Sequence, residues 1–413
     1  MKYNISKPDR QLKGEITLDG SKSISNRALI IRALSGLDFP IHGLGDSQDT
    51  QTLMRLLSSG EEVLDAGPAG TTFRFLTAYL SLREGTQILT GSARMKQRPI
   101  GILVDCLRQL GARIDYMENE GYPPLKIYTP QHLTTEPELT IPASVSSQYI
   151  SALLMIAPTF VGGMRLTLEG EIVSRPYIEM TLRTMERFGV HHAWEGNTIV
   201  VGEQRYQAEE FRVEADWSAA SYYYALAAFS DNTNLYLNGL HRESWQADAA
   251  IAGIMEQFGV HTNFTKKGVH LTKKNTTISG FQYNFLNCPD IAQTLAVVCA
   301  GKRCAAQLEG LQTLKIKETD RIQALITELK KINIDAEEIS GDALHIHAPI
   351  HAFEQVKMPT FDTYHDHRMA MIFATLALIV DEVVIDDPLV VGKSYPAFWK
   401  DLERLGFRVV SSE

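Results

Sequence analysis

One spelling recurs down the chain: an amphipathic helix, a closing Gly or Asn, and then a strand. It reads LRQLGARIDY from Leu107, MERFGVHHAW from Met185, MEQFGVHTNF from Met255, LKKINIDAEE from Leu329 and LERLGFRVV from Leu402. A looser copy, LMRLLSSGEEV, starts at Leu53. The closing residues are Gly60, Gly111, Gly189, Gly259, Asn333 and Gly406, types that accept the left-handed backbone ending a helix. After four of these turns a second strand follows a short polar break: LKIY at Leu125, TIVV at Thr198, VHLT at Val269 and LHIH at Leu344. Helix–Gly–strand is common in any α/β protein, but the same L/M-x-x-Φ-G spelling in most of the copies marks a repeat. The chain is therefore predicted to be an α/β protein of six repeated α+β units. The domain boundary is expected near Val213–Asp216, between the third and fourth units.

Charge and cysteine usage narrow the function. Lys and Arg total 40 against 49 Asp and Glu, a net charge of −9 over 413 residues. That balance argues against nucleic acid and membrane surfaces as partners, since both call for a basic face. The start, MKYNISKPDRQLKGEITLDG, has no apolar stretch of the signal-peptide kind. The longest apolar run, Met369 to Val380, is too short to cross a bilayer and is predicted as a buried helix. Cys106, Cys288, Cys299 and Cys304 form no CxxC pair and no zinc spacing with His, so reduced thiols in a cytoplasmic protein are expected. Any anionic ligand must then be caught by local basic clusters.

Such clusters exist, and they sit at turn–helix junctions. Asp19-Gly20-Ser21-Lys22-Ser23-Ile24-Ser25-Asn26-Arg27 follows the strand GEITL and opens the helix SNRALIIRAL. Free N–H groups and the helix dipole favour an anion there. The spacing is not that of an ATP-binding phosphate loop, because Gly14 lies six residues before Gly20 rather than five. Ala66-Gly67-Pro68-Ala69-Gly70-Thr71-Thr72-Phe73-Arg74 repeats the theme. Arg94, Lys96 and Arg98 precede Pro99 at a helix start, where acids are usual. Ser144, Ser146, Ser147 and Gln148, and later Ser174-Arg175-Pro176-Tyr177, offer hydroxyl and amide donors. Taken singly, each of these also reads as a plain helix cap. The second half adds Lys315-Ile316-Lys317-Glu318-Thr319-Asp320-Arg321, His365-Asp366-His367-Arg368 before an apolar helix, and Gly392-Lys393-Ser394-Tyr395. A zinc reading of His365-x-His367 lacks a third ligand nearby. An acidic chain that places Lys22, Arg27, Arg74, Lys96, Arg98, Lys317, Arg321, Arg368 and Lys393 in this way suits a small polyanion.

DGSKSISNRAL, AGTTFR, RMKQRPIG, SSQYISALLM, SRPYI, KETDR, DHRMAM and GKSYP, in this order and over essentially the whole chain, resemble the 3-phosphoshikimate 1-carboxyvinyltransferase (5-enolpyruvylshikimate-3-phosphate synthase) family. The resemblance implies a two-domain inside-out α/β barrel with three repeated units per domain. Residues 21–215 would form one lobe, and residues 1–20 with 216–413 the other. It implies transfer of the enolpyruvyl group of phosphoenolpyruvate to the 5-hydroxyl of shikimate 3-phosphate, with release of phosphate. By motif, Lys22, Ser23, Arg27, Ser146, Ser147, Gln148, Ser174, Tyr177, Asp290, Thr313 and Lys317 would bind shikimate 3-phosphate. Lys22, Gly70, Arg98, Gln148, Arg321, Arg368 and Lys393 would bind phosphoenolpyruvate, with Arg74 supporting the loop of Gly70. Asp290 matches the base, Glu318 the acid–base partner, and Lys22 joins them in catalysis. No metal and no organic cofactor is implied, and a cytoplasmic monomer is expected.

Two positions depart from the family's usual spelling: Pro68 and Thr313 stand where many members carry Asn. Two other readings compete. An enolpyruvyl transferase of the same fold acting on UDP-N-acetylglucosamine usually carries a reactive Cys in a mobile loop, and residues 92–100 contain none. A non-catalytic anion-binding repeat protein would have no use for Asp290 and Glu318.

Overall fold

The computed structural model describes residues 1–348 and 351–412. The chain divides into two compact units, one of Met1–Asp19 with Glu214–Glu413, the other of Gly20–Val213. Both are built from the same small motif, and the motif explains the repeated sequence spelling.

Three copies are contiguous. Each runs strand, helix, strand, helix, hairpin and makes a four-stranded sheet. The first two strands pair in parallel, and the hairpin strands pair antiparallel. These copies open at Val63–Asp65, Glu138–Pro142 and Gly280–Asn284. Two more copies, both in the first unit, take a strand from the start of the chain. Gln11–Thr17 pairs in parallel with Asn232–Asn238, ahead of the hairpin Val260–Phe264 and Gly268–Lys273. Lys2–Ser6 lies antiparallel between Val383–Asp386 and Arg408–Ser412 and takes the last strand position of the final copy.

The sixth copy is reduced. Ile41–His42 and Phe211–Arg212 form a two-stranded parallel ladder, and the helices Lys22–Ser35 and Gln48–Leu57 flank Ile41–His42 along the chain. The loose copy at Leu53 lies here, its helix Gln48–Leu57 followed by no hairpin of its own. Its strand, Val63–Asp65, opens the sheet of the next copy. The physical reason is that Gly67 and Gly70 turn the chain into a new helix before a second alternating segment can form. Gly111, Gly189, Gly259, Asn333 and Gly406 all adopt positive φ, whereas Gly60 of the loose copy does not.

Within each unit, helices lie inside sheets. Trp217–Phe229 is buried at every position but Ser218, and His367–Ala374 is buried throughout. In the other unit Gly70–Leu80 is buried at all but Thr71. A helix apolar on all sides belongs in a core, and packing rather than propensity holds it. Side chains such as Tyr223, Leu226 and Phe229 contribute roughly 2 kcal/mol each by burial. The strands alternate: Thr233, Leu235 and Leu237 point inward while their neighbours in Asn232–Asn238 are exposed or half-exposed. The predicted buried helix at Met369–Val380 is present as His367–Ala374 followed by a 3-10 turn, Thr375–Leu378. All four cysteines are buried and unpaired with one another by disulfides. Among the described residues no helix is long and apolar enough to cross a membrane.

Candidate active site

In the first unit, the starts of the helices Ala292–Gly301, Arg321–Lys330 and His367–Ala374 and the loops beside them bring together the predicted charged residues of the second half of the chain. Arg321 is the first residue of Arg321–Lys330, whose preceding Asp320 caps Ile322 and Gln323. Arg321 is only 1% exposed, yet its guanidinium meets three carboxylates. Nε donates to Asp366 Oδ2 at 2.7 Å, Nη1 to Asp290 Oδ1 at 3.2 Å and Nη2 to Glu318 Oε2 at 3.0 Å. Arg368 Nη2 lies 3.1 Å from Asp290 Oδ2, and its Nη1 donates to the Asp290 carbonyl at 3.1 Å. Lys393 Nζ donates to Glu318 Oε1 at 2.8 Å, and Lys317 Nζ stands 3.8 Å from Asp290 Oδ1.

Asp290 sits in a 3-10 turn, Pro289–Ile291, ahead of the helix Ala292–Gly301, a place that suits a plain helix cap. The geometry is different, because its carboxylate faces Arg321, Arg368 and Lys317. Burial works against its charge, but Arg368, Lys317 and Arg321 overcome this and hold the carboxyl below the ordinary range. Asp290 is therefore ionised at neutral pH, the state a proton acceptor needs. Lys317 is pushed down by burial, with attraction to Asp290 opposing the shift.

Two acids near this cluster carry no role in the motif assignment: Asp366, named within the tetrad His365-Asp366-His367-Arg368, and Asp248, which was not named. Asp366, fully buried, fixes Arg321 and caps the Arg368 backbone N–H at 2.9 Å. Its signal lies in the DHRM spelling, where an acid precedes Arg368 at a helix start. Asp248 is buried against the Ser218 hydroxyl, and burial followed by repulsion from Asp290 pushes its carboxyl up to about 7. No sequence signal marks Asp248. Thr313, in the 3-10 turn Gln312–Ile316, has a buried Oγ1 with no hydrogen-bond partner among the described residues.

The second unit carries three groups. Lys22 starts the helix Lys22–Ser35 and its Nζ lies 3.2 Å from Oδ2 of the buried Asp49. The turn before it is held by backbone contact: a Cβ on Gly20 would stand 1.7 Å from the Gly43 carbonyl. Arg27, one turn on, is buried beneath this start. It donates to Thr181 Oγ1 at 2.7 Å, the Ser23 carbonyl at 2.9 Å, Ser151 Oγ at 3.0 Å and the Tyr177 carbonyl at 3.2 Å. Burial lowers its guanidinium to about 10. Four of its five donors are thus engaged, so Arg27 fastens the Ser23 and Tyr177 segments together.

The second group surrounds Gly70, first residue of its helix. A Cβ there would lie 2.6 Å from Arg98 Nη1 and 3.0 Å from Arg74 Nη1. Arg74 donates to the Gly70 carbonyl at 3.0 Å. Arg98 is buried, whereas Lys96 of the same basic run pairs with Glu118 at the surface. The third group is the start of Ser147–Ile156, where Ser146 is the cap and Gln148 Nε2 donates to Thr71 Oγ1 at 2.9 Å. Ser174 holds a left-handed backbone, φ 57°, at the start of Arg175–Arg187.

The sequence profile of EPSP synthase (3-phosphoshikimate 1-carboxyvinyltransferase) matches residues 6–59 and 55–402. The chain belongs to the EPSP synthase family. Among its relatives, a 3-phosphoshikimate 1-carboxyvinyltransferase of Bacteroides fragilis is 47% identical over 414 residues, covering 100% of both chains. One from Sulfurovum sp. is 39% identical and covers 97% of this chain and 98% of its own length. Among solved structures, an EPSP synthase from Acinetobacter baumannii shares the mixed α/β fold with a TM-score of 0.79 at 23% identity, covering 99% of this chain and 100% of that one. The enolpyruvyl transferase NikO from Streptomyces tendae shares it with a TM-score of 0.75 at 15% identity, covering 100% and 99%.

Proposed function

We propose that this chain transfers the enolpyruvyl group of phosphoenolpyruvate to the 5-hydroxyl of shikimate 3-phosphate and releases phosphate, as a step of aromatic amino acid biosynthesis. The observation that carries the reading is the cluster in which Arg321, Arg368, Lys317 and Lys393 hold Asp290 and Glu318, in a chain of this family. Lys22, Ser23, Arg27, Ser146, Ser147, Gln148, Ser174, Tyr177, Asp290, Thr313 and Lys317 are assigned to shikimate 3-phosphate. Arg27 then acts through a single remaining donor and through the segments it fastens. Lys22, Gly70, Arg98, Gln148, Arg321, Arg368 and Lys393 are assigned to phosphoenolpyruvate. The Gly70 backbone is a natural anion contact because it opens a helix beside Arg98.

The chemistry follows from the charges. The Asp290 carboxylate accepts the 5-hydroxyl proton as that oxygen bonds to C2 of phosphoenolpyruvate. The C3 methylene takes a proton from Glu318, with Lys22 as the third catalytic group. The product of this addition is a tetrahedral ketal phosphate, whose charge Arg321, Arg368 and Lys393 stabilise. Collapse breaks the C2–phosphate oxygen bond, the departing phosphate takes up the proton held by Asp290, and the methyl returns its proton to the Glu318 carboxylate. Asp290 is a weak base while three cations face it. Binding of anionic substrate to those cations weakens their pull and raises its basicity when a proton must be taken.

The two compact units, which divide at residues 19–20 and 213–214, within two residues of the boundaries expected at 20–21 and 215–216, are read as the two domains of the family's inside-out α/β barrel. The enzyme is proposed to work as a cytoplasmic monomer on small molecules, with no nucleic acid or membrane partner. Phosphate release from phosphoenolpyruvate tests the reading. Turnover with shikimate 3-phosphate and none with UDP-N-acetylglucosamine supports it, and the reverse preference overturns it.

A further inference from the structure

On the solvent face of the sheet Gly280–Asn284, Ala305–Glu309, Ala343–Ile346 and Ala336–Ile339, two imidazoles and a carboxylate converge. His345 lies on the strand Ala343–Ile346, and His347 follows directly past its end, two residues on, where an extended backbone puts both side chains on one face. Glu337 stands directly opposite His345 in the antiparallel ladder, and His347 extends that ladder through its N–H to the Asp335 carbonyl at 3.0 Å. The register thus fixes all three side chains from two adjacent strands.

Both rings address one oxygen. Glu337 Oε1 lies 3.0 Å from His347 Nε2 and 3.7 Å from His345 Nδ1. All three ligand atoms lie within 4.8 Å of one another, and the ring centroids are 4.6 Å apart. The other His–carboxylate contacts in the described residues are single pairs, such as His42 with Glu210, His192 with Glu186 and His261 with Glu256. Only here, among the described residues, do three such groups converge closely enough to hold one ion. The side chains are 41–53% exposed, so an ion can reach them from solvent.

We propose that Glu337, His345 and His347 form a surface site for a divalent transition cation of the zinc class. Two imidazole nitrogens and one carboxylate oxygen suit such an ion better than Mg2+ or Ca2+, which take oxygen ligands. Three protein ligands leave a coordination position for water. Ala336–Ile339 is the outermost strand of its sheet, so a bound ion clips that edge to Ala343–Ile346. None of Glu337, His345 and His347 is assigned above to substrate or catalysis, so the proposal stands or falls apart from the proposed reaction.

The test is equilibrium dialysis of the untagged, EDTA-stripped full chain against ZnCl2, with Co2+ visible absorption as a second readout. The wild type is expected to take up one Zn2+ per chain and to show Co2+ bands of low coordination number. His345→Ala and His347→Ala should each weaken binding by about tenfold or more, and the double variant should lose it. Zn2+ should also raise the melting temperature of the wild type and leave that of the double variant unmoved. The positions are exposed, so the variants fold, which circular dichroism checks directly. Failure of the wild type to bind Zn2+ at millimolar concentration overturns the proposal, as does unchanged binding by the double variant.

Discussion

Replacing Asp366 by Ala removes three bonds from a carboxylate with no solvent exposure. They are the contacts to Arg321 Nε at 2.7 Å, Arg321 Nη2 at 3.4 Å and the Arg368 backbone N–H at 2.9 Å. Removing one partner of a buried ion pair costs about 3–5 kcal/mol. Arg321 keeps Asp290 and Glu318, which places its share at the low end, about 3 kcal/mol. Loss of the helix cap adds about 1 kcal/mol. Asp366→Ala should therefore lose about 4 kcal/mol in all. Asp366→Asn keeps an acceptor for the cap and for Arg321 but loses the charge, and should lose about 2 kcal/mol. Urea unfolding followed by tryptophan fluorescence reads this unit selectively, since Trp217, Trp245 and Trp399 lie in it and Trp194 does not. The midpoint should fall in the order wild type, Asn, Ala, at unchanged slope. A loss under about 1 kcal/mol for Asp366→Ala, the range of an exposed ion pair, would refute the reasoning that this acid is the buried anchor of the cluster.

Gly70→Ala places a methyl 2.6 Å from Arg98 Nη1, the far end of a long side chain. Arg98 can swing away, so stability should hold while the KM for phosphoenolpyruvate rises about tenfold, the order of one lost charged contact. An unchanged KM would remove Gly70 and Arg98 from that role. Gly20→Ala has no such escape, because its Cβ would meet the Gly43 backbone carbonyl. It should cost about 3 kcal/mol in urea unfolding, and a neutral result would count against the tight turn before Lys22. Asp248 has a folded value near 7 against 3.8 for an ordinary aspartate, so it holds a proton that the unfolded chain has released between those values. Its contribution to stability therefore falls as pH rises through that window and levels off above it. Asp248→Asn should gain stability relative to wild type between about pH 4 and about pH 8; a gap that stays constant across that range sinks the assignment.

The repeat was legible because each copy must end its helix with a residue that accepts positive φ and then bury an alternating strand. Gly111, Gly189, Gly259, Asn333 and Gly406 all do so. Long-range pairing was not legible in the local pattern, and only the family resemblance joined residues 1–20 to 216–413. Lys2–Ser6 and Gln11–Thr17 complete sheets whose other strands lie more than 200 residues away, and local periodicity carries no trace of that. The loose copy at Leu53 has its helix and its strand, but the strand pairs in parallel with Thr86–Thr90 and so belongs to the next copy, a pairing that its spelling does not mark. At the candidate site the cations stood out, since Lys22 and Arg321 each open a helix and Arg368 is the second residue of another. Asp248 and Asp49 left no mark, because a buried acid is defined by the cation or hydroxyl that tertiary packing brings to it.

The central claim is that Asp290 and Glu318 move the protons while the surrounding cations hold the anions. Phosphate release from phosphoenolpyruvate and shikimate 3-phosphate by Asp290→Asn and Glu318→Gln, with shikimate 3-phosphate affinity measured alongside, tests it most directly. The account predicts turnover lower by about a hundredfold to ten-thousandfold in each variant with substrate still bound. Wild-type rates in both variants would contradict it.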